Sequence, residues 1–152
     1  MKFVVESKIR DVNIQDVYSV FDFRLLTALS PPMMKPEAKI YEGNKLGDQL
    51  YFVIRTPIGG FPWKGKVTEE SITENEIYFV DEGTEMAFGM STWKHKHRLI
   101  KINDGTLIRD EVFFDTKNRL LKYVLLPGVW MQFLYRKPLY EKIVKKRLGQ
   151  NR

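Results

Sequence analysis

The sequence predicts an α+β fold: one curved antiparallel sheet of seven strands, two short helices near its start and a long helix at its end. Two observations carry that reading. From Lys35 to Thr116 the apolar pattern has period two, broken only by short turn segments, so consecutive strands are antiparallel neighbours. From Val129 to Leu148 the spacing becomes helical, and no other segment is long enough to cover a sheet face.

The elements follow in order. Phe3 to Arg10 alternates Phe3, Val5, Ser7 and Ile9 against Val4, Glu6, Lys8 and Arg10, the pattern of a strand. Ile14, Val17, Tyr18 and Phe21 have helical spacing with Asn13 as N-cap, and Asp22 caps a second short helix holding Leu25, Leu26 and Leu29. Ser30-Pro31-Pro32 stops it, because proline cannot donate into a helix and restricts the residue before it. Strands are then predicted at Ala38–Glu42, Gln49–Thr56, Trp63–Thr73, Glu76–Glu82, Phe88–Ile102 and Thr106–Thr116, with turns such as Gly43-Asn44 and Asn103-Asp104-Gly105 between them. After Pro127-Gly128 the final helix runs through Trp130, Phe133, Tyr140 and Ile143, with a bend or break expected at Pro138.

Composition narrows the function classes. A chain of 152 residues fits a single domain spanning 1–152 and buries roughly 70% of its unfolded surface without staples. It has no cysteine, which excludes disulfides and thiolate metal sites. Charge within the first six residues argues against a signal peptide, and no apolar run approaches the roughly 20 residues of a membrane span, so a cytoplasmic location is expected. The net charge of +6 is wholly C-terminal: Arg136 to Arg152 holds seven Lys or Arg against Glu141 alone. Cations in the last turns of a helix are favoured by its dipole, and no basic face interleaved with aromatics suggests nucleic acid.

Both histidines of the chain lie in Trp93-Lys94-His95-Lys96-His97. In a strand, Trp93, His95, His97 and Leu99 share one face, while Lys94, Lys96 and Arg98 share the other. Across the Asn103-Asp104-Gly105 turn, where Gly105 supplies a positive φ, the matching face of the next strand is Thr106, Ile108, Asp110, Val112 and Phe114. The alternative face would bury Arg109 and Glu111. This parity puts His97 beside Asp110, and on the preceding strand Phe79 and Asp81 share the inner face. The wall admits several readings: a satisfied polar cluster, a polar anchor for a ligand, or a His97–Asp110 acid–base pair. Two imidazoles and Asp110 could also ligate a metal, but that spacing is common and no metal or other cofactor is expected. No nucleophile or oxyanion device accompanies the pair, so binding without turnover is favoured over catalysis.

The order of elements and five segments together resemble the START-like superfamily of helix-grip proteins, also called SRPBCC, and within it a bacterial branch of small ligand-binding proteins. The segments are Phe23 through Leu26–Pro32, Phe79-Val80-Asp81, Trp93–His97, Thr106–Val112 and Phe133-Leu134-Tyr135-Arg136. One departure stands out: Phe88-Gly89-Met90 occupies the place where a Gly-Pro pair is usual. The resemblance implies a cavity between sheet and long helix that holds a small hydrophobic or amphipathic molecule, lipid-like or polyketide-like. A cyclase or dehydratase using a His–Asp pair in the same cavity is the alternative. The candidate ligand-binding residues are Trp63, Phe79, Asp81, Trp93, His95, His97, Asp110, Phe133 and Arg136. Arg136 reads as an ion-pairing or surface residue whose functional roles are a carboxylate clamp or a latch to Asp81 or Glu82.

Overall fold

The computed structural model describes residues 1–149. Its elements are β1 (Lys2–Arg10), α1 (Ile14–Ser19), α2 (Phe23–Leu29), β2 (Lys35–Tyr41), β3 (Gln49–Thr56), β4 (Gly59–Ile72), β5 (Glu76–Glu85), β6 (Met90–Ile102), β7 (Gly105–Thr116) and α3 (Leu121–Arg147). The seven strands form one antiparallel sheet in the order β1-β7-β6-β5-β4-β3-β2. Strands β2 to β7 are a meander, and β1 closes onto β7, so the chain's first and last strands are neighbours. The helix grip expected from the sequence is the fold observed.

Local chemistry accounts for the two short helices. The Asn13 side chain accepts from the Asp16 N–H at 2.8 Å and the Asp22 carboxylate from the Leu25 N–H at 3.0 Å, each meeting one donor that a helix start leaves unpaired. Ile14, Val17, Leu25 and Leu29 are buried and join Ile9, Ile77, Leu99, Ile108, Tyr140 and Val144 in one core. A second core holds Val5, Met90, Val112, Phe114, Val129 and Phe133. The histidine strand runs between the two.

The predicted parity holds. Along β7 the residues Thr106, Ile108, Asp110, Val112, Phe114 and Thr116 are buried. On the outer face Arg98 pairs with Glu76 at 2.6 Å and Glu111 at 2.9 Å, and Arg109 with Glu111 and Glu6 at 2.9 Å each. That ladder of opposite charges explains how so polar a strand stays in a central sheet position.

Three expectations need correction. The long helix begins at Leu121, ahead of Val129, and passes through both Pro127 and Pro138. Both prolines are exposed, as is Tyr123, whose carbonyl has no helical N–H partner at Pro127, and the helix continues past the missing bond. The buried stripe is Val129, Phe133, Arg136, Tyr140 and Val144, and Trp130, expected inside, is 44% exposed. Strand β4 starts at Gly59 and β6 at Met90, because the Thr56–Gly59 turn is tighter and the Phe88-Gly89 pair lies outside the ladder with φ values of 61° and 72°.

The basic C-terminal end is a clasp. Arg147 donates both guanidinium nitrogens to the Asp22 carboxylate at 2.7 Å, fastening the end of α3 to the start of α2. Gln150 to Arg152, the end of the basic run, lie outside the described residues.

Candidate functional site

A cavity of about 330 Å³ lies between the concave face of the sheet and the first half of α3. Trp63, Asp81, Trp93, His95, Phe133 and Arg136 line it. Phe79 and His97 instead line a smaller adjoining space of about 70 Å³, which Asp81 also borders. Asp110 borders neither cavity; it sits behind His95, with its side chain 1% exposed.

The strand register places the four polar groups. Asp81 is opposite His95 between β5 and β6, and Phe79 is opposite His97. His97 is opposite Asp110 between β6 and β7. The hydrogen bonds run along the diagonals instead. His95 Nε2 is 2.8 Å from Asp110 Oδ1, and His97 Nε2 is 2.7 Å from Asp81 Oδ2. The directly opposed pairs, His95 Nδ1–Asp81 and His97 Nδ1–Asp110, are both at 3.7 Å. The histidine–Asp110 hydrogen bond expected at His97 is made instead by His95. Parity fixed the shared face, but the imidazole reach across β6 decided the partner.

Trp93 Nε1–H donates to Asp81 at 3.1 Å, and the Tyr140 hydroxyl lies 3.4 Å from Asp110 Oδ2. The rings pack as a continuous stack: Phe79 lies 4.3 Å from His97, His97 lies 3.6 Å from His95, and His95 meets Phe133 edge-on at 4.9 Å.

These contacts set the charges. Burial raises the Asp110 carboxyl, yet the His95 hydrogen bond and the charges of His95, His97 and Arg136 outweigh it and hold it below the ordinary carboxylate range. Asp81 follows the same balance, with burial opposed by the His97 hydrogen bond, the two imidazole charges and Trp93. Burial lowers His95, a charged His97 lowers it further, and Asp110 restores only part, so His95 is less basic than an ordinary imidazole. An ionised carboxylate only accepts, so each imidazole donates from Nε2, and in the neutral form of His95, which burial favours, Nδ1 carries the lone pair. Burial and the Asp110 charge push the Tyr140 hydroxyl up.

Arg136 is neither a surface residue nor a latch. It is 8% exposed, and its guanidinium carbon lies over the Phe133 ring at 4.5 Å from the centroid. Asp81 is already held by His97 and Trp93, and Glu82 faces outward beside Lys94 at 3.5 Å. Donor atoms of Asp81, His95 and His97 lie within 4.8 Å of one another, a set that could converge on a metal ion. The acid in that set is Asp81, where the sequence pointed to Asp110.

Sequence reasoning missed several lining residues: Phe52 and Ile54 on β3, and Leu125 and Gln132 on α3; Phe88 and Met90, from the segment that departs from the Gly-Pro pattern, also line the cavity. Phe52 and Ile54 carried a signal, the period-two alternation of their strand. Leu125 carried none, because its segment was read as ending before the helix. Met34 also lines the cavity, and Gln132 Nε2 lies 3.4 Å from its sulfur.

Comparison with solved structures gives the architecture a wider setting. A protein from Arthrobacter aurescens, solved by NMR, shares 13% identity over 95% of this chain and 86% of that one, with a TM-score of 0.73. Ara h 8.0201 shares 19% identity over 92% and 97%, with a TM-score of 0.58. The di-domain ARO/CYC StfQ from the steffimycin biosynthetic pathway shares 10% identity over 97% of this chain and 52% of that one, with a TM-score of 0.69. At these identities the likeness is one of fold: the chain has the helix-grip, SRPBCC-type architecture. No family model matches the chain, and no curated protein matches it in sequence. Among the described residues no helix is long and apolar enough to cross a membrane.

Proposed function

We propose that the protein binds a small apolar or amphipathic molecule between its sheet and α3. The observation that carries this reading is the cavity of about 330 Å³, walled by aromatic and aliphatic side chains with a few polar groups, Asp81 and His95 on the sheet and Gln132 and Arg136 on α3. Well-packed cores leave few voids larger than a water molecule, whereas ligand pockets begin at roughly 300 Å³. The volume suits one chain or a small fused-ring system. Incubation with a lipid and metabolite extract, re-purification and mass spectrometry of what remains bound tests the reading; repeated recovery of ligand-free protein would reject it.

A second reading has its own observation. The dyad His95–Asp110 borders the cavity through His95, and the His95 Nδ1 lone pair is a base whose opposite nitrogen is fixed by a carboxylate. A cyclase or dehydratase reaction would use that atom to remove a proton from a bound carbonyl compound. The same extract experiment separates the two: a captured compound released unchanged supports binding alone, and a mass change that disappears in His95→Gln supports catalysis.

A further inference from the structure

We infer that the cavity takes an anion: a single-chain amphiphile whose carboxylate seats on Arg136. This rests on the cavity-binding reading above and names its ligand class.

The starting point is a buried guanidinium without a salt bridge. Arg10, Arg55, Arg98, Arg109 and Arg147 each hold a carboxylate at 3.2 Å or less. Arg136 is more deeply buried than any of these, at 8% exposure, yet among the described residues it has no carboxylate within salt-bridge reach. Its Nε is buried and makes no hydrogen bond. A guanidinium stays protonated in a protein, and a buried cation without a counter-ion costs several kcal/mol. Such an arrangement is stable only at a cost, and an incoming anion removes that cost.

No nearby acid reaches it within salt-bridge distance among the described residues, although its charge acts on Asp110 and on the Tyr140 hydroxyl from further off. Asp110 is engaged by His95 at 2.8 Å and by the Tyr140 hydroxyl at 3.4 Å. Asp81 is engaged by His97 at 2.7 Å and by Trp93 at 3.1 Å. Each wall carboxylate thus has its own donors, and the guanidinium is left facing the cavity that it lines. Asp81 also borders the cavity and repels an anion, so the head group belongs on the α3 side. There Gln132, one turn before Arg136, offers an amide whose one partner among the described residues is the Met34 sulfur at 3.4 Å. A thioether is a weak acceptor, and a carboxylate oxygen readily displaces it. A planar carboxylate matches the guanidinium fork, with Gln132 as a third donor. The remaining wall, with Phe52, Trp63, Trp93 and Val129, takes the apolar body.

Titration calorimetry of the full chain at pH 7.5 with three ten-carbon probes tests this: decanoate, decan-1-ol and decylammonium. Decanoate is expected to bind at least tenfold more tightly than the alcohol, as follows from a charge-assisted hydrogen bond. Arg136→Gln should bring decanoate down to the affinity of the alcohol, with the alcohol itself changed by no more than about twofold. Arg136→Lys should keep part of the preference, since it retains the charge and loses the fork. Equal binding of decanoate and alcohol to the wild type, or tighter binding of decylammonium, overturns the anion and leaves the cavity reading standing. Binding of none of the three overturns both. The wild-type comparison decides the matter even if Arg136→Gln fails to fold.

Discussion

His97 lies directly opposite Asp110 in the β6–β7 register, yet its hydrogen bond goes the other way, to Asp81 on β5 at 2.7 Å. His95 does the converse, facing Asp81 in register and bonding Asp110 at 2.8 Å. The crossed pattern ties three adjacent strands together through side chains, where a direct pattern would tie the same strands at the same two heights.

Double-mutant cycles should reveal the crossing. Combining His95→Gln with Asp110→Asn should give a coupling of about 1.5–3 kcal/mol in urea unfolding, the range for a hydrogen bond to a charged group. The His97–Asp110 cycle, across 3.7 Å, should give less than about 1 kcal/mol. A larger coupling for the second pair would show that the partners are exchanged.

Acid should destabilise the fold in two stages. His95 is held below the ordinary imidazole range, so between about pH 6.5 and its folded-state value the unfolded chain binds more protons. The stability from this residue is complete above about pH 6.5 and is lost as pH falls through that window. Asp81 and Asp110 are also lowered, so their contribution persists down to about pH 4 and disappears below it. Calorimetric Tm values from pH 8 to pH 3 should show both stages, and His95→Gln should remove the first. A Tm unchanged between pH 7 and pH 5 contradicts the assignment.

Replacing Arg136 by Met should stabilise the ligand-free protein. The methionine keeps a flexible apolar stem over Phe133 and removes a buried charge without a counter-ion, a change worth about 1–3 kcal/mol. A rise in urea midpoint is the expected result, and a fall of similar size would mean that the guanidinium is satisfied within the fold.

Gly105→Ala should cost about 2–4 kcal/mol, a large loss for one methyl group. Its φ is +149°, and a Cβ there would collide with the Ile9 carbonyl oxygen and meet the Arg10 Cα at 3.0 Å. Equilibrium unfolding measures the loss directly. A change below about 0.5 kcal/mol, the usual range for surface sites, would mean that β1 yields at this point.

Gly105 also illustrates what a sequence can and cannot disclose. Reading it as a turn glycine located the hairpin, but the loop proper is Asn103-Asp104, and the glycine is required by the passage of β1 close to its Cα. That contact joins residues far apart in the chain, so no local pattern announces it. The histidine face was legible because period-two alternation is local and burying Lys94, Lys96 and Arg98 is costly. The choice between Asp81 and Asp110 was not, since it turns on side-chain reach between strands. The start of α3 was hidden for another reason: Leu121 to Tyr135 is apolar on nearly every side, which erases helical periodicity, and Pro127-Gly128 imitates a stop.

The two prolines of α3 divide the roof of the cavity into panels. Pro127 and Pro138 each lack the N–H that would bond the carbonyl four residues earlier, so Tyr123 and Leu134 have carbonyls free of the ladder. Between these joints lies a stretch of about three turns carrying Val129, Gln132, Phe133 and Arg136. Each joint lacks one ladder bond, so tilting that panel breaks fewer bonds than bending an unbroken helix. Under the binding proposal, that panel is the part of the roof whose movement would open the cavity, while Arg147 clasps the far end to Asp22 and the seven-stranded ladder stays shut.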